Sequence, residues 1–246
     1  MHFIDLNCDM GEGMGHDAAL FPYISSASIA CGYHAGDESI MRQTMLLAAA
    51  SGVAIGAHVS FADRDNFGRT EMHLPAKEVY RIVVQQLILA GAIAADLQLQ
   101  LRHVKPHGAL YNQSAKDPVM AQAIAAAIRD VDAQLILFGL SGSASIDAAK
   151  AAGLRTAGEV FADRAYSDDG ALVPRSQPGA LINDKVQVVQ QALQMIQTGT
   201  VTSRNGKMVP VIADTICLHG DGEQAVAFAQ TIHASFKQQG IEIKAS

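Results

Sequence analysis

The segment HFIDLNCDMGEG, residues 2–13, decides the fold because it joins a strand to a polar, glycine-rich turn. Its first part is predicted to be a strand, and the turn that follows carries Asp9 and Glu12. The same arrangement, a strand that ends in polar or ionisable residues, recurs along the chain. Seven strands are predicted: His2–Cys8, Ser28–Cys31, Val53–Val59, Leu101–Lys105, Gln134–Gly139, Arg155–Phe161 and Val209–Leu218.

Segments with a helical period lie between these strands. Strands that alternate with helices favour one parallel α/β domain over residues 1–246. Seven strands with right-handed crossovers can close as a barrel or lie open as a doubly wound sheet, and periodicity does not separate the two. Helices are predicted to begin at Asp37, Pro75, Asp117 and Asp184, and a last helix is predicted over Glu223–Phe236.

The candidate functional residues follow directly after the strands. Parallel strands end at the same edge of a sheet, which is where such folds assemble their active sites. A single acid or histidine at a strand end is more often a helix cap or a packed side chain, and Asp37 is interpreted as a cap. Six clusters with the same placement favour a site. They are Asn7, Asp9 and Glu12; His34 and Asp37; His58; Lys105 and His107; Glu159, Asp163 and Arg164; and His219 and Asp221.

These residue types suit acid–base chemistry or metal binding. The two acids of the first turn can act as a general base or as metal ligands. His34, His58 and His107 are flanked by Gly or Ala, which leaves room for a substrate or a metal beside each imidazole. Lys105 ends an apolar strand, and because an unpaired buried ammonium is costly, we expect it to meet a carboxylate or an anionic substrate.

Two long loops carry arginines that suit anionic groups. Residues 60–74 include Arg69 and residues 162–180 include Arg164, and a guanidinium can hold a carboxylate or phosphate through forked hydrogen bonds. The alternative is a solvated surface arginine that balances its acidic neighbours. No phosphate-binding motif accompanies them, because the glycines of the first turn have the wrong spacing and no GKS or GKT loop occurs.

Composition excludes several classes of protein. The 246 residues include 18 Lys+Arg and 24 Asp+Glu, and the net charge of −6 excludes a basic surface for nucleic acid. No apolar stretch approaches the roughly 18 residues of a membrane span, and no secretory signal is recognised, so a cytoplasmic location is expected. Three scattered cysteines predict reduced thiols. The low charged fraction, 17%, indicates a surface covered by a partner or by a second copy in a homo-oligomer.

Six ordered blocks of the sequence resemble the LamB/YcsF family and span nearly the whole chain. The departures are small: Ser28, Glu38 and Val59 stand where the family has Asn, Pro and Pro, and none of them removes an ionisable group. The blocks are DLNCDMGE (5–12), SIACGYHAGD (28–37), GAHVSFADRDNFGR (56–69), VKPHGALYN (104–112), EVFADRAY (159–166) and ICLHGD (216–221).

The resemblance implies both a fold and an activity. The implied fold is α/β, a seven-stranded parallel β/α barrel resembling the polysaccharide deacetylase-like barrel. The implied activity is the ATP-dependent opening of the 5-oxoproline lactam to L-glutamate, performed together with two companion 5-oxoprolinase subunits. The companions are expected to activate the lactam with ATP, which agrees with the absence of a phosphate loop in this sequence.

The resemblance also suggests roles for individual residues. We expect a water activated by Asp9 or a neighbouring histidine to attack the lactam, with His107 or His219 protonating the ring nitrogen. Lys105 and an arginine are expected to hold the substrate carboxylate. The predicted catalytic residues are Asp9, Glu12, His58, Lys105, His107 and His219, and the predicted substrate-binding residues are Asn7, His34, Arg69, Arg164 and Asp221.

Two other functions stay open. Asp9, His34 and His58 are candidates for the divalent-metal site of a metal-dependent deacetylase or amidohydrolase. The chain is also a candidate for a non-catalytic binding subunit that positions or regulates its companions.

Overall fold

The structure, a computed structural model, describes residues 3–218 and 225–246. Their strands are β1 (Phe3–Met10), β2 (Ser26–Ala30), β3 (Ala54–Val59), β4 (Leu101–Pro106), β5 (Ile136–Leu140), β6 (Arg155–Phe161), β7 (Thr200–Thr202), β8 (Met208–Pro210), β9 (Thr215–Leu218) and β10 (Glu242–Ile243). β1 to β6 and β9 are joined side by side, all in parallel, and β1 pairs with both β2 and β9. The seven strands therefore close, and the predicted seven-stranded parallel β/α barrel is confirmed.

Helices surround the barrel and begin close to the predicted residues. The side chains of Asp37, Asp117 and Asp184 each accept a hydrogen bond from a backbone N–H in the first turn of the helix that follows. The interpretation of Asp37 as a cap is therefore confirmed. The helices are α1 (Asp17–Leu20), α2 (Glu38–Ala50), α3 (Ala76–Asp96), α4 (Gly108–Ser114), α5 (Pro118–Val131), α6 (Ala144–Ala151), α7 (Lys185–Thr198) and α8 (Ala225–Gln238).

Helix α3 is long and apolar enough, by length and composition, to cross a membrane. Val79, Val83, Leu87 and Ala90 nevertheless lie in the hydrophobic core of the protein. They recur every three or four residues, which is the spacing of one helix face. The apolar face of α3 is therefore used by the core around the barrel.

The prediction for the last barrel strand, Val209–Leu218, is wrong in its first half. Residues 208–210 form β8, which pairs with β7 in an antiparallel hairpin outside the barrel. The chain then leaves this hairpin, and the barrel strand is β9 alone. The hairpin has a clear signal in Asn205-Gly206, a dipeptide that favours tight turns between short strands, but a single apolar run through 209–218 hid it.

The barrel interior is polar in its upper half. Along β1 the even residues from Ile4 to Met10 are apolar, whereas Asn7 reaches across the barrel to hydrogen-bond Glu159 and Thr215. The lower half is filled by His103, whose ring stacks on Phe138 with centroids 4.1 Å apart. β1 therefore contributes polar residues to the interior and apolar residues to the layer beneath the helices.

Gly56 makes room for the His103 ring. A Cβ atom added at this position would lie 2.2 Å from His103 Nε2, which is closer than any real contact. His103 Nε2 also lies 3.1 Å from Ser28 Oγ. The filled lower half leaves the carboxyl end of the barrel as the open end.

Asp5 should make stability depend on pH. Burial raises the pKa of its carboxyl from 3.8 to about 6, and Oδ2 has no hydrogen-bond partner. A carboxyl whose folded pKa is raised favours the fold at low pH and loses that contribution as the pH rises towards 6. The loss reaches at most about 3 kcal/mol for two pKa units.

We therefore expect Asp5→Asn to raise the melting temperature at pH 7.5 by several degrees, at about 2–4 °C per kcal/mol for a chain of this size. The gain should shrink at pH 4.5, where the wild-type carboxyl is already largely protonated. Thermal unfolding at both pH values measures this, with Asp147→Asn on the exposed side of α6 as the control. A gain of equal size at both pH values would contradict the assignment to the Asp5 charge.

Candidate active site

Lys105 lies at the end of β4 and is enclosed by acceptors from three other strands. Its Nζ is 2.7 Å from Glu159 Oε1, 2.9 Å from Asp9 Oδ1 and 3.1 Å from Asn7 Oδ1. Cys217 Sγ is also 3.1 Å from Nζ. A lysine ammonium has three protons, so acceptors of the chain itself use its donors. Burial opposes the charge, but Asp9, Cys217 and Glu159 hold the pKa of Lys105 well above its usual value.

The sequence predicts that Lys105 meets a carboxylate or an anionic substrate, and the structure shows two carboxylates beside it. Asn7 supports the same cluster from below, since its amide donates to Glu159 Oε1 over 2.9 Å and to Thr215 Oγ1 over 2.7 Å. Glu159 follows strand six as predicted, but the sequence assigns it no role. Its position opposite β4 becomes visible only when the barrel closes.

Three histidines on neighbouring segments each donate one ring N–H away from the site. His58 Nδ1 lies 2.9 Å from the carbonyl oxygen of Lys105, and His107 Nε2 lies 2.9 Å from that of Phe67. His34 Nδ1 lies 2.9 Å from Ser60 Oγ, whose hydroxyl donates to a backbone carbonyl and so accepts from the ring. Carbonyl oxygens only accept, so these partners place a proton on each outer nitrogen.

The inner nitrogens of the three rings converge on Glu12. Glu12 Oε1 is 3.1 Å from His34 Nε2, 3.6 Å from His107 Nδ1 and 3.8 Å from His58 Nε2. His58 Nε2 and His107 Nδ1 are 2.9 Å apart. All four ligand atoms lie within 4.8 Å of one another. Four atoms that each offer a lone pair need a positively charged species between them.

A divalent metal fits this cluster. Ligand distances of about 2.0–2.2 Å around tetrahedral zinc separate neighbouring ligand atoms by about 3.3–3.6 Å, within the observed spread of contacts. Burial lowers the pKa of His34 to about 2 and also lowers the pKa of His107, so both rings are neutral, as metal ligands must be. A proton on His58, whose pKa is raised mainly by Asp9 against the effect of burial, would satisfy only part of the cluster.

This donor set differs from the predicted Asp9, His34 and His58. Asp9 Oδ2 is 3.3 Å from His58 Nε2, but Asp9 lies outside the group of four, and its other oxygen is held by Lys105. Burial opposes the ionised form of Asp9, yet the charges of His58 and Lys105 outweigh it and lower its pKa well below the usual value. Asp9 is therefore an ionised carboxylate between the histidine cluster and the lysine cluster.

The loop after β3 closes one side of the histidines. The rings of His34 and His107 stack with centroids 3.9 Å apart, and Gly68 lies against both. Gly68 has φ of +66°, and an added Cβ would lie 2.9 Å from atoms of each histidine. Phe67, with φ of +56°, directs its carbonyl at His107. The sequence predicts that this loop holds a ligand, and in the structure it also orients the histidines.

A cavity of about 680 Å³ opens above these clusters. Arg69 and Arg164 reach it, and Arg69 lies over the Phe67 ring at 4.8 Å from the centroid. Arg164 Nη2 donates to the carbonyl oxygen of Val173 over 2.7 Å, so this arginine also ties down its own loop. Predicted site residues on the cavity wall are Asp9, Glu12, His58, Arg69, Lys105, His107 and Arg164.

The remaining predicted residues lie deeper or elsewhere. His34 stands behind His107, and Asn7 lies beneath Lys105. His219 and Asp221 fall outside the described residues. Tyr111 also lines the cavity, although the sequence assigns it no role. Its place on the turn after His107 is the signal that could have found it.

Comparison with known proteins then fixes the family. The profile of the LamB/YcsF family matches residues 4–246. The chain belongs to the LamB/YcsF family. Two similar relatives are named as 5-oxoprolinase subunits of the same type. The protein from Erwinia tasmaniensis is 54% identical over 243 residues, which cover 99% of both chains. The one from Bordetella pertussis is 51% identical over 248 residues, which cover 99% of this chain and 98% of the relative.

A solved LamB/YcsF-like structure has the same fold. The lactam utilization protein from Thermus thermophilus superposes with a TM-score of 0.93 at 41% identity, covering 99% of this chain and 100% of that one. The resemblance drawn from the six sequence blocks is thus confirmed. For a LamB/YcsF chain with this barrel and this cluster of acids and histidines, hydrolytic chemistry is the expected kind.

Proposed function

We propose that the chain is one subunit of an ATP-dependent 5-oxoprolinase, and that it opens the lactam of 5-oxoproline to L-glutamate with two companion subunits. The observation that carries the proposal is the ionised Asp9, set between the histidine and lysine clusters on the wall of a deep cavity. The names of the relatives support the substrate and the multi-subunit assembly.

An unstrained amide resists water at neutral pH, so the lactam must be activated first. We assign activation by ATP to the companions because the sequence has no recognisable phosphate loop. This chain then acts on the activated ring in the cavity. Arg164 and Arg69 offer the positive charge for the substrate carboxylate, since the donors of Lys105 are used within the protein.

Asp9 is the base in this mechanism. Its Oδ2 accepts a proton from water while the water oxygen bonds to the lactam carbon. The C–N bond then breaks, and the protonated Asp9 returns that proton to the ring nitrogen. The low pKa of Asp9 makes its protonated form a strong donor. The pKa of His107 is lowered by burial, so its ring holds no extra proton at neutral pH and is disfavoured as the acid.

Glu12, His34, His58 and His107 would hold a divalent metal beside Asp9. When bound, such an ion supplies Lewis acidity and lowers the pKa of water next to it. The same cluster favours one second candidate, a metal-dependent amidohydrolase or deacetylase that acts without companions. The two candidates differ in whether hydrolysis needs ATP and the companion subunits.

The test is glutamate release from 5-oxoproline and ATP, measured with this chain alone, with the companions alone and with the full mixture. We expect activity only in the full mixture and its loss in Asp9→Asn, with the melting temperature showing that the variant stays folded. Asp147→Asn, on the exposed side of α6, is the matched control. Near-normal release by Asp9→Asn would sink the assignment of the base.

Failure of the full mixture, with companions shown to be folded and active on ATP, would favour the second candidate. Full activity after combined replacement of Asp9, His58 and His107 would instead favour a non-catalytic binding subunit.

A further inference from the structure

Tyr111 carries a buried hydroxyl whose hydrogen-bonding capacity is not used. Among the described residues, the buried side-chain atoms without a hydrogen-bond partner include the Tyr111 hydroxyl, and Tyr111 is the residue of that group that lines the cavity. A buried hydroxyl without a partner is unfavourable by about 1–3 kcal/mol. A group that enters the cavity can remove that penalty.

The surroundings of Tyr111 fix its ring in place. The residue lies on α4, one turn after His107, and is 6% exposed. Its ring packs edge-on against Phe161 with centroids 5.8 Å apart. A ring held in this way loses little further freedom when a ligand binds, so its hydroxyl is already positioned for recognition.

Charge decides what the hydroxyl can recognise. Burial and the nearby Glu159 carboxylate raise the pKa of Tyr111 well above its usual value, so the phenol keeps its proton and acts as a donor. The negative charge of Glu159 disfavours an anionic group at this place. A neutral acceptor, such as an amide carbonyl oxygen, meets both conditions.

We infer that Tyr111 donates a hydrogen bond to the carbonyl oxygen of the lactam and is a specificity-determining residue of the cavity. The inference rests on the proposed function and deepens it, since it orients the ring with its carbonyl towards α4. The substrate carboxylate then points away from Glu159. Tyr111 therefore selects cyclic amides over ring amino acids that lack the carbonyl.

The test is calorimetric binding of 5-oxoproline and of proline, which has the same ring and carboxylate without the carbonyl. We expect Tyr111→Phe to weaken binding of 5-oxoproline by about two- to tenfold, the value of one neutral hydrogen bond, and to leave binding of proline unchanged. If wild-type protein binds only 5-oxoproline, the loss for that ligand decides. Tyr80→Phe, whose hydroxyl contacts Asp130 on the surface, is the control.

Thermal unfolding separates recognition from a structural role. Removing an unpartnered hydroxyl should leave the melting temperature unchanged or higher, whereas removing a structural partner of Glu159 should lower it. The inference is overturned if wild-type protein does not bind 5-oxoproline, if both ligands weaken equally, or if Tyr111→Phe loses stability but no affinity. Glutamate release by the full mixture tests the proposed function independently, because it can fail while ligand-selective binding persists.

Discussion

Zinc ions should raise the melting temperature of the purified chain markedly. At a concentration one hundred times the Kd, a ligand that binds only the folded state adds about 2.7 kcal/mol of stability. That corresponds to a rise of about 5–11 °C for a chain of this size. The physical reason is the convergence of Glu12 Oε1 with three imidazole lone pairs, which repel one another unless a positive charge lies between them.

Variants of the cluster make the zinc prediction specific. Glu12→Gln should lose most of the rise, because an amide oxygen is a weaker ligand and brings no charge. His73→Asn is the control, since His73 lines the same cavity but is not one of the four residues. Metal analysis after dialysis should find close to one ion per chain. An equal rise in wild-type protein and Glu12→Gln, or no retained metal, would contradict the site.

Replacement of Lys105 by Met should destabilise the protein strongly. Removing one partner of a buried charge pair costs about 3–5 kcal/mol, because the remaining charge stays buried without compensation. Here the carboxylates of Asp9 and Glu159 would face each other without the ammonium that now lies within 2.9 Å of both. We expect a fall in melting temperature of about 6–20 °C, which exceeds that of most single substitutions.

The pH dependence of Lys105→Met identifies the cause. Ionised carboxylates without a cation are least favourable at high pH, so the gap from wild-type protein should widen from pH 5 to pH 8. Lys150→Met, at an exposed position on α6, is the control and should change little. The further change Glu159→Gln should restore part of the stability. A small, pH-independent loss in Lys105→Met would mean that the charge is already compensated elsewhere.

Much of the site could be predicted because strand ends are visible in a sequence. Asp9, His58 and Lys105 follow apolar strands, and in a parallel barrel the carboxyl ends of all strands share one rim. The caps at Asp117 and Asp184 are equally legible, since an acid before an apolar stripe is a local signal. Local chemistry and strand direction are thus enough to gather most of the site.

The pairing within the site could not be predicted, because it depends on contacts between distant strands. Nothing local shows that Lys105 is saturated by Asn7 and Glu159, since these residues meet only across the closed barrel. Nor does the sequence show that Glu12 joins the histidines while Asp9 turns to Lys105. That choice is made by the turn, where Gly11 has φ of +70°.

Closure of the barrel through β1 and β9 also constrains how the protein is made. The Asn7 amide finds its acceptors only when Glu159, 152 residues later, and Thr215, 208 residues later, have been added to the chain. During synthesis the first strand therefore emerges from the ribosome long before its last neighbour exists. Contacts of such sequence separation slow folding, and the polar interior gives early strands little reason to collapse on one another. The catalytic machinery can thus assemble only late in translation, because the strands that close the barrel come from opposite ends of the sequence.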